Sequence, residues 1–401
     1  MDGSPQTGGC PEFVAGLRTG LLRLTDRIAT EAEVFDPSLE SIVAAETAVS
    51  AFDDVPSLRG YALADLVRQA SFPEVVFLLL RDDLPDVDHL ADFQSVLTES
   101  AEVPQAVSDL IAALPLNVAP MEVLRTAVSA LAHFDPQPDE RDRAAAVGQT
   151  LRLLARLPLA LAARQAAWTT RPAAEADPDA GYAANLLTLL TGREPTAEAE
   201  AAFEAALVVA AEQGLDASTL AARAAVSTGG DLFAAVTAAM SVWAGPLHGG
   251  PRPEVLDWLR KAASNDPETF IRKEIAQGHS FPGFDLRLTA VGDVRAAWLT
   301  PFCRRLAAET GNEAIEQAAE AAERLIAEET GAGPALDWPL SRLLYHLGVD
   351  PDLFKPVAAV ARVAGWAAHA VEQSEHNQLL RPRGRYVGPK KRPFRPLEER
   401  G

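Results

Sequence analysis

Cysteine is nearly absent. Cys10 and Cys303 are the only two in 401 residues, too few for a disulfide framework or a Cys-rich zinc site. Aromatic residues are also sparse, 6% against 48% hydrophobic residues in all, so the core must be built from aliphatic side chains. No apolar run reaches the ~18 residues that a membrane helix needs; arginine interrupts the stretch Leu151–Ala163. The opening Met1-Asp-Gly-Ser-Pro5 lacks the basic-then-apolar layout of a signal peptide, and a cytoplasmic protein is expected. Positive charge is in deficit: 36 Lys and Arg face 56 Asp and Glu, a net charge of −20. That balance argues against nucleic acid or an anionic membrane as partners of the protein's body. It leaves room for small basic pockets that take an anionic metabolite. Motifs of the GxGxxG, Walker A, HExxH, GxSxG and CxxC kinds are missing, which weighs against dinucleotide-binding, P-loop, zincin, hydrolase-elbow and redox readings. No metal site is expected.

What the chain does contain is helical pattern. Its length exceeds the ~100–200 residues of one domain, so two or more compact units are expected. Residues 1–37 read as an N-terminal extension with a short helix over Pro11–Ile28. From Ser38 onward the periodicity is helical: an apolar run at Phe72–Leu80 that Ser71 can cap, then Ala144–Ala167, Thr196–Gln213 and Ala314–Glu329. Alternation of β-branched residues is scarce, and the fold class is all-α. Glycine and proline punctuate the chain at Gly229–Gly230, Gly249–Pro251, Gly278–Gly283 and Gly331–Pro334. From Arg381 to Arg395 every charged residue is basic. Such a tail either docks on an acidic surface of this protein or a partner subunit, or is simply solvated.

Three groups of residues carry potential chemistry. Of the seven histidines, His248 in Gly245-Pro-Leu-His-Gly-Gly250 and His279 in Gln277-Gly-His-Ser280 lie in glycine-flanked loops, where an imidazole stays uncovered and can exchange a proton or polarise a carbonyl. The plainer alternative is a histidine that satisfies a loop carbonyl, which is the reading for His89, His133, His346, His369 and His376. Asp337, between Leu336 and Trp338, is either a partly desolvated general base or the N-cap of the helix Leu340–Leu347; spacing alone favours the cap. Arg362 sits in the apolar run Val357–Trp366, and Arg287 and Arg381 lie in loops. Each can clamp a carboxylate or pair with one of the many acids.

Taken together these segments resemble the citrate synthase family, from about Ser38 to Arg400. The likeness runs through Ile42–Thr47, Arg59-Gly-Tyr61, Ala70-Ser-Phe72, Pro120–Thr126, Ala211–Thr219, Ser227–Asp231, Gly245–Gly250, Arg362–Trp366, Glu372-Gln373, Leu379–Arg383 and Tyr386-Val-Gly388. The Gly-Pro-Leu-His-Gly-Gly motif is the most specific of these. The resemblance implies an all-α, two-domain fold, with a large domain over 1–248 and 346–401 and a smaller domain at 249–345. It implies an acyltransferase that condenses acetyl-CoA with oxaloacetate to citrate and CoA, needing no cofactor beyond the thioester substrate. His248 matches the histidine that stabilises the acetyl-CoA enol, His279 the one that polarises the oxaloacetate carbonyl, and Asp337 the base that takes the methyl proton. Arg287 and Arg362 match arginines that bind the oxo-acid carboxylates, and Arg381 one given by the other subunit of a homodimer. The resemblance thereby sets aside the N-cap reading of Asp337.

Departures from the family concentrate in the oxo-acid pocket. The family's Ala-Glu-His is here Ala211-Glu-Gln213, so the amide of Gln213 stands where an imidazole contacts the oxo acid. Asp216 replaces an asparagine, and Ser280-Phe-Pro-Gly283 departs from the usual sequence after His279. Two alternatives follow: the same chemistry on another acyl-CoA or 2-oxo acid, as in a 2-methylcitrate synthase, and a metabolite-binding paralogue that no longer turns over.

Overall fold

Most of the helices are set by local signals. Ser71 caps the helix Phe72–Arg81 through a full capping box with Glu74, and Pro73 occupies the first turn. Asp82, left-handed at φ 72°, ends that helix, and Arg59 and Arg143 both ion-pair with it. Thr196, Asp216 and Asp231 cap the helices Ala197–Ala210, Ala217–Ser227 and Leu232–Trp243 in the same way, each side chain accepting a backbone N–H of the first turn.

The computed structural model describes residues 35–40, 42–52, 55–137, 140–169, 174, 177, 179–285 and 291–400. The expected helix Pro11–Ile28 and the candidate Arg287 lie outside them. The chain forms two compact units, 1–46 and 47–401. Within the first, Asp36 accepts hydrogen bonds from the backbone and hydroxyl of Ser38. The second is an assembly of helices. Strands among the described residues are only two residues long: Ser50–Ala51, Ser57–Leu58 and Tyr61–Ala62 in one antiparallel ribbon, and Phe284–Asp285 against Gly333–Pro334 in another.

The all-α expectation therefore holds. Expected helices are found as Phe72–Arg81, Arg143–Thr169 and Glu313–Thr330. The one expected over Thr196–Gln213 stops at Ala210, leaving Glu212 and Gln213 in a loop. Gly214, at φ 73°, turns the chain there, and its N–H donates to the Glu212 carboxylate.

Apolar side chains gather into two clusters within 47–401. The larger surrounds the helix Phe354–Glu375, which is buried on every face from Val357 to Val371. The smaller joins Val255, Trp258 and Leu259 to Ile315, Leu325, Ile326 and Trp338. No helix among the described residues is long and apolar enough to cross a membrane.

The helix Arg143–Thr169 contains Pro158. Proline has no N–H to give the carbonyl four residues back, that of Leu154. Tyr182 supplies the missing donor, its hydroxyl reaching Leu154 O at 2.9 Å, while its ring stacks on Phe72 at 5.3 Å. Tyr182→Phe keeps the stack and strips only the donor. It should lower the unfolding free energy by about 1–2 kcal/mol in urea titration; a change within the error of the titration would show that the carbonyl is satisfied without Tyr182.

Candidate active site

The loop Gly245–Gly250 follows the helix Leu232–Trp243 and folds back on it. The backbone N–H of His248 donates to Gly245 O at 3.2 Å, and the imidazole lies over the Trp243 indole at 4.7 Å between ring centroids. Lys355 and Arg252 both donate to the His248 carbonyl, at 3.3 and 3.2 Å. Only 9% of the His248 side chain is exposed, and its Nε2 has no hydrogen-bond partner among the described residues. The nearest ionic group is Asp216 Oδ2, at 3.7 Å.

Asp337 opens the helix Asp337–His346, but it is not the N-cap. Leu336 before it is already helical, and no side chain caps the helix. The carboxylate turns instead toward the histidine loop, where Gly250 N–H donates to Oδ1 at 2.8 Å. Gly250 allows this approach: its φ is 119°, and a Cβ there would meet the Trp243 ring at 2.9 Å. Burial pushes the Asp337 carboxyl above its ordinary pKa, against the pull of the Gly250 N–H and the charges of Arg252, Lys355 and Arg295. A carboxylate so placed is a stronger base than one in water.

Arg362 is completely buried and serves two carboxylates. Its Nη1 donates to Glu212 at 3.1 Å, and its Nη2 donates to Asp216 at 3.0 Å and to the Thr219 hydroxyl at 2.7 Å. The internal pairing weighed for this arginine is therefore present. Glu212 also accepts from Ser50 Oγ at 2.9 Å and lies 3.1 Å from His369 Nε2. Arg223 Nη1, which can only donate, faces His369 Nδ1 at 3.0 Å. The proton of a neutral His369 must then sit on Nε2, pointing at Glu212. Burial alone would raise the Glu212 carboxyl; Arg362, His369 and Ser50 outweigh it and hold the group ionised below its usual range.

The structure thus brings His248, Asp337 and Arg362 into one polar system, linked by Gly250, Arg252 and Asp216. It leaves His279 exposed and facing Glu274 at 3.0 Å. The segment after His279 is tied to the Asp337 segment all the same, since Ala335 N–H donates to Gly283 O at 2.8 Å. Gln213 is half-buried in its loop. Arg381 lies in the exposed C-terminal segment and makes no hydrogen bond or ion pair among the described residues of its own chain. No cluster of three or more His, Cys, Asp or Glu among the described residues has the geometry of a metal site.

Sequence reading passed over Glu212, Arg252 and Lys355, and gave His369 only a plain structural role. One signal was available: Arg362, His369 and Gln373 recur at helical spacing within an otherwise apolar helix, a stripe that calls for buried polar partners.

Comparison with known proteins supports one family. Residues 38–383 match the family described as citrate synthase, C-terminal domain. Citrate synthase 2 of Bacillus subtilis is 36% identical over 365 residues, 90% of this chain and 98% of that protein. A 2-methylcitrate synthase of Corynebacterium glutamicum is 34% identical, covering 85% of this chain and 91% of its own length. Among solved structures, the citrate synthase of Pyrobaculum aerophilum superposes with a TM-score of 0.83 at 27% identity, over 92% of this chain and 98% of that one. The citrate synthase of Thermoplasma acidophilum, solved as a ternary complex with carboxymethyl coenzyme A and oxaloacetate, gives 0.84 at 25% identity, over 92% and 100%. The helical fold, the histidine loop beside Asp337 and the matches along the chain agree, and the chain belongs to the citrate synthase family.

Proposed function

We propose that the protein condenses acetyl-CoA with oxaloacetate to give citrate and free CoA. The observation that carries this reading is Asp337, a carboxylate raised in basicity by burial and aimed at the loop that holds His248. An acetyl methyl is a very weak acid, and a carboxylate by itself does not remove its proton at a useful rate. Asp337 takes the proton while His248 donates a hydrogen bond to the oxygen that becomes the enolate, each effect worth ~10²–10⁴ in rate. The enolate carbon then attacks the oxaloacetate carbonyl, which His279 polarises. Water cleaves the thioester to complete the reaction. Arg362 and Arg287 orient the oxo-acid carboxylates, and Gln213 contributes a neutral amide where the family pattern has an imidazole.

The same reading covers the assembly. The histidine loop and Asp337 lie at the two borders of a small domain over 249–345, whose closure on the rest of the chain excludes water from the enolate. The second hydrophobic cluster, drawn wholly from within 255–345, supports that division, while Leu299, Cys303 and Leu306 of the same segment pack in the larger cluster. Arg381 reaches the oxo-acid site of the other subunit in a homodimer; its exposure within its own chain supports this. The reaction needs no further cofactor, and the enzyme works in the cytoplasm. A second reading, propionyl-CoA in place of acetyl-CoA, is supported by the resemblance to 2-methylcitrate synthases.

Asp337→Asn tests the base. Thiol release from acetyl-CoA with oxaloacetate should fall ~10²-fold or more, while oxaloacetate still binds. A variant that keeps more than about a tenth of wild-type turnover contradicts the assignment.

The same variant carries a stability signature. A carboxyl whose folded pKa is raised binds more protons folded than unfolded, so its charge destabilises the fold above that raised value. Asp337→Asn should therefore melt higher than wild type at neutral pH. The gain should shrink as pH falls through the raised pKa, and vanish below the ordinary carboxylate range. An Asp337→Asn chain that melts lower at neutral pH would mean the charged carboxylate is a net stabiliser.

Subunit sharing is tested by mixing Arg381→Ala chains with Asp337→Asn chains. If Arg381 acts across the dimer, one site of each hybrid collects both lesions and the other is whole, and activity returns. No recovery despite proven exchange of subunits would confine Arg381 to its own chain.

A further inference from the structure

We infer that Asp216 is a specificity-determining residue of the oxo-acid pocket: its carboxylate occupies the guanidinium of Arg362, so a substrate carboxylate reaches that arginine only by displacing it. The inference rests on the proposed role of Arg362 in binding the oxo acid.

The two oxygens of Asp216 are divided between two tasks. Oδ1 serves the fold: it caps the helix Ala217–Ser227, accepting from Thr219 N at 2.8 Å and Ser218 Oγ at 2.7 Å. Oδ2 serves the site, 3.0 Å from Arg362 Nη2 and 3.7 Å from His248 Nε2. Glu212, the other acid on Arg362, is fully buried and fixed by Ser50, Gly214 and His369 as well. The Asp216 side chain is 22% exposed, which makes it the accessible one of the two acids on the guanidinium. Arg362 Nε has no partner among the described residues, and the guanidinium already carries two carboxylates against its single charge.

Asp216 is ionised in this setting. Burial works against its charge, but Arg362, His248, Ser218 and Thr219 hold the carboxyl well below the usual carboxylate range. A substrate carboxylate approaching Arg362 therefore meets a fixed negative charge and a donor already engaged. A residue that only capped its helix would behave in the opposite way when replaced: affinity would stay the same or fall as the loop loosened. The sign of the change separates the two roles.

Asn and Ser both retain a capping oxygen, while neither presents a carboxylate to Arg362. Oxaloacetate binding to the full-length wild type, Asp216→Asn and Asp216→Ser should be measured by titration calorimetry, with coenzyme A titrated in parallel and thermal melts to confirm folding. Both variants should bind oxaloacetate about tenfold more tightly or better, the scale of one charge-assisted hydrogen bond regained. Coenzyme A affinity should move less than about twofold, well under the tenfold that marks one such bond. Unchanged or weaker oxaloacetate binding by the folded variants overturns the inference and leaves the oxo-acid reading standing. Failure of both variants to fold, with the cap oxygen kept, assigns the carboxylate to the stability of the fold as a counter-charge to Arg362 and also overturns it. If none of the three chains binds oxaloacetate, the oxo-acid reading itself fails and the inference falls with it.

Discussion

A buried ion pair organises this protein. Glu212 and Arg362 are both fully inaccessible and lie 3.1 Å apart. Taking two charges out of water costs several kcal/mol for each ion, recovered only when the geometry is good and the remaining lone pairs and protons find partners. That demand explains the local structure around the pair. The helix Ala197–Ala210 ends before Glu212, Gly214 turns the chain so that its own N–H meets the carboxylate, and Ser50 is brought in from the short ribbon near the start of the larger unit. Gly365 lies in the middle of a buried helix, where glycine costs roughly 1 kcal/mol relative to alanine. The cost is met because the helix backbone touches the loop: Gly365 N–H donates to Ala211 O, and a Cβ at that position would collide with Ala211 O and with the Glu212 carboxylate.

The other end of the site rests on a second buried network. Arg342, fully buried in the helix that begins with Asp337, forks onto Glu316 at 2.7 and 3.1 Å and reaches Glu323 at 2.7 Å. Glu323 also accepts from the Trp338 indole at 2.7 Å, and Glu316 lies 2.9 Å from His346. This ties the helix Asp337–His346 to the helix Glu313–Thr330, while Cys303 reaches the Pro339 carbonyl at 3.3 Å. Ligands of charge and hydrogen bonding, rather than apolar packing alone, therefore set where Asp337 and Arg362 stand. Bidentate forks are directional in a way that an aliphatic core is not.

Much of this was legible in the sequence, and the limit has a physical basis. Signals that act within one turn were readable: the Ser71 cap and the helical periodicity of Glu313–Thr330. Asp337 was misread on spacing because its partner, Gly250 N–H, lies 87 residues away in the chain. The partners of Arg362 were equally hidden: Glu212 stands 150 residues before it, and Asp216 146. An apolar helix with one arginine announces that a buried acid exists without saying which. The family resemblance pointed to the proposed role of Asp337 that spacing did not favour, but it could not foresee that Asp216 would lie against Arg362. His346 and His369 depart from the expected loop-carbonyl partner, since each stands in a helix and faces a buried glutamate.

The Glu212 charge holds the site together, and Glu212→Gln removes that charge at nearly constant volume. The amide keeps the volume but must turn an N–H toward Arg362 or toward the other donors around it, leaving the buried guanidinium with the partly exposed Asp216 as its remaining acid. Denaturant titration at neutral pH should show a loss of about 3–5 kcal/mol, the range found when one partner of a buried pair is removed. A loss below about 1 kcal/mol, the scale of an exposed ion pair, would contradict the account.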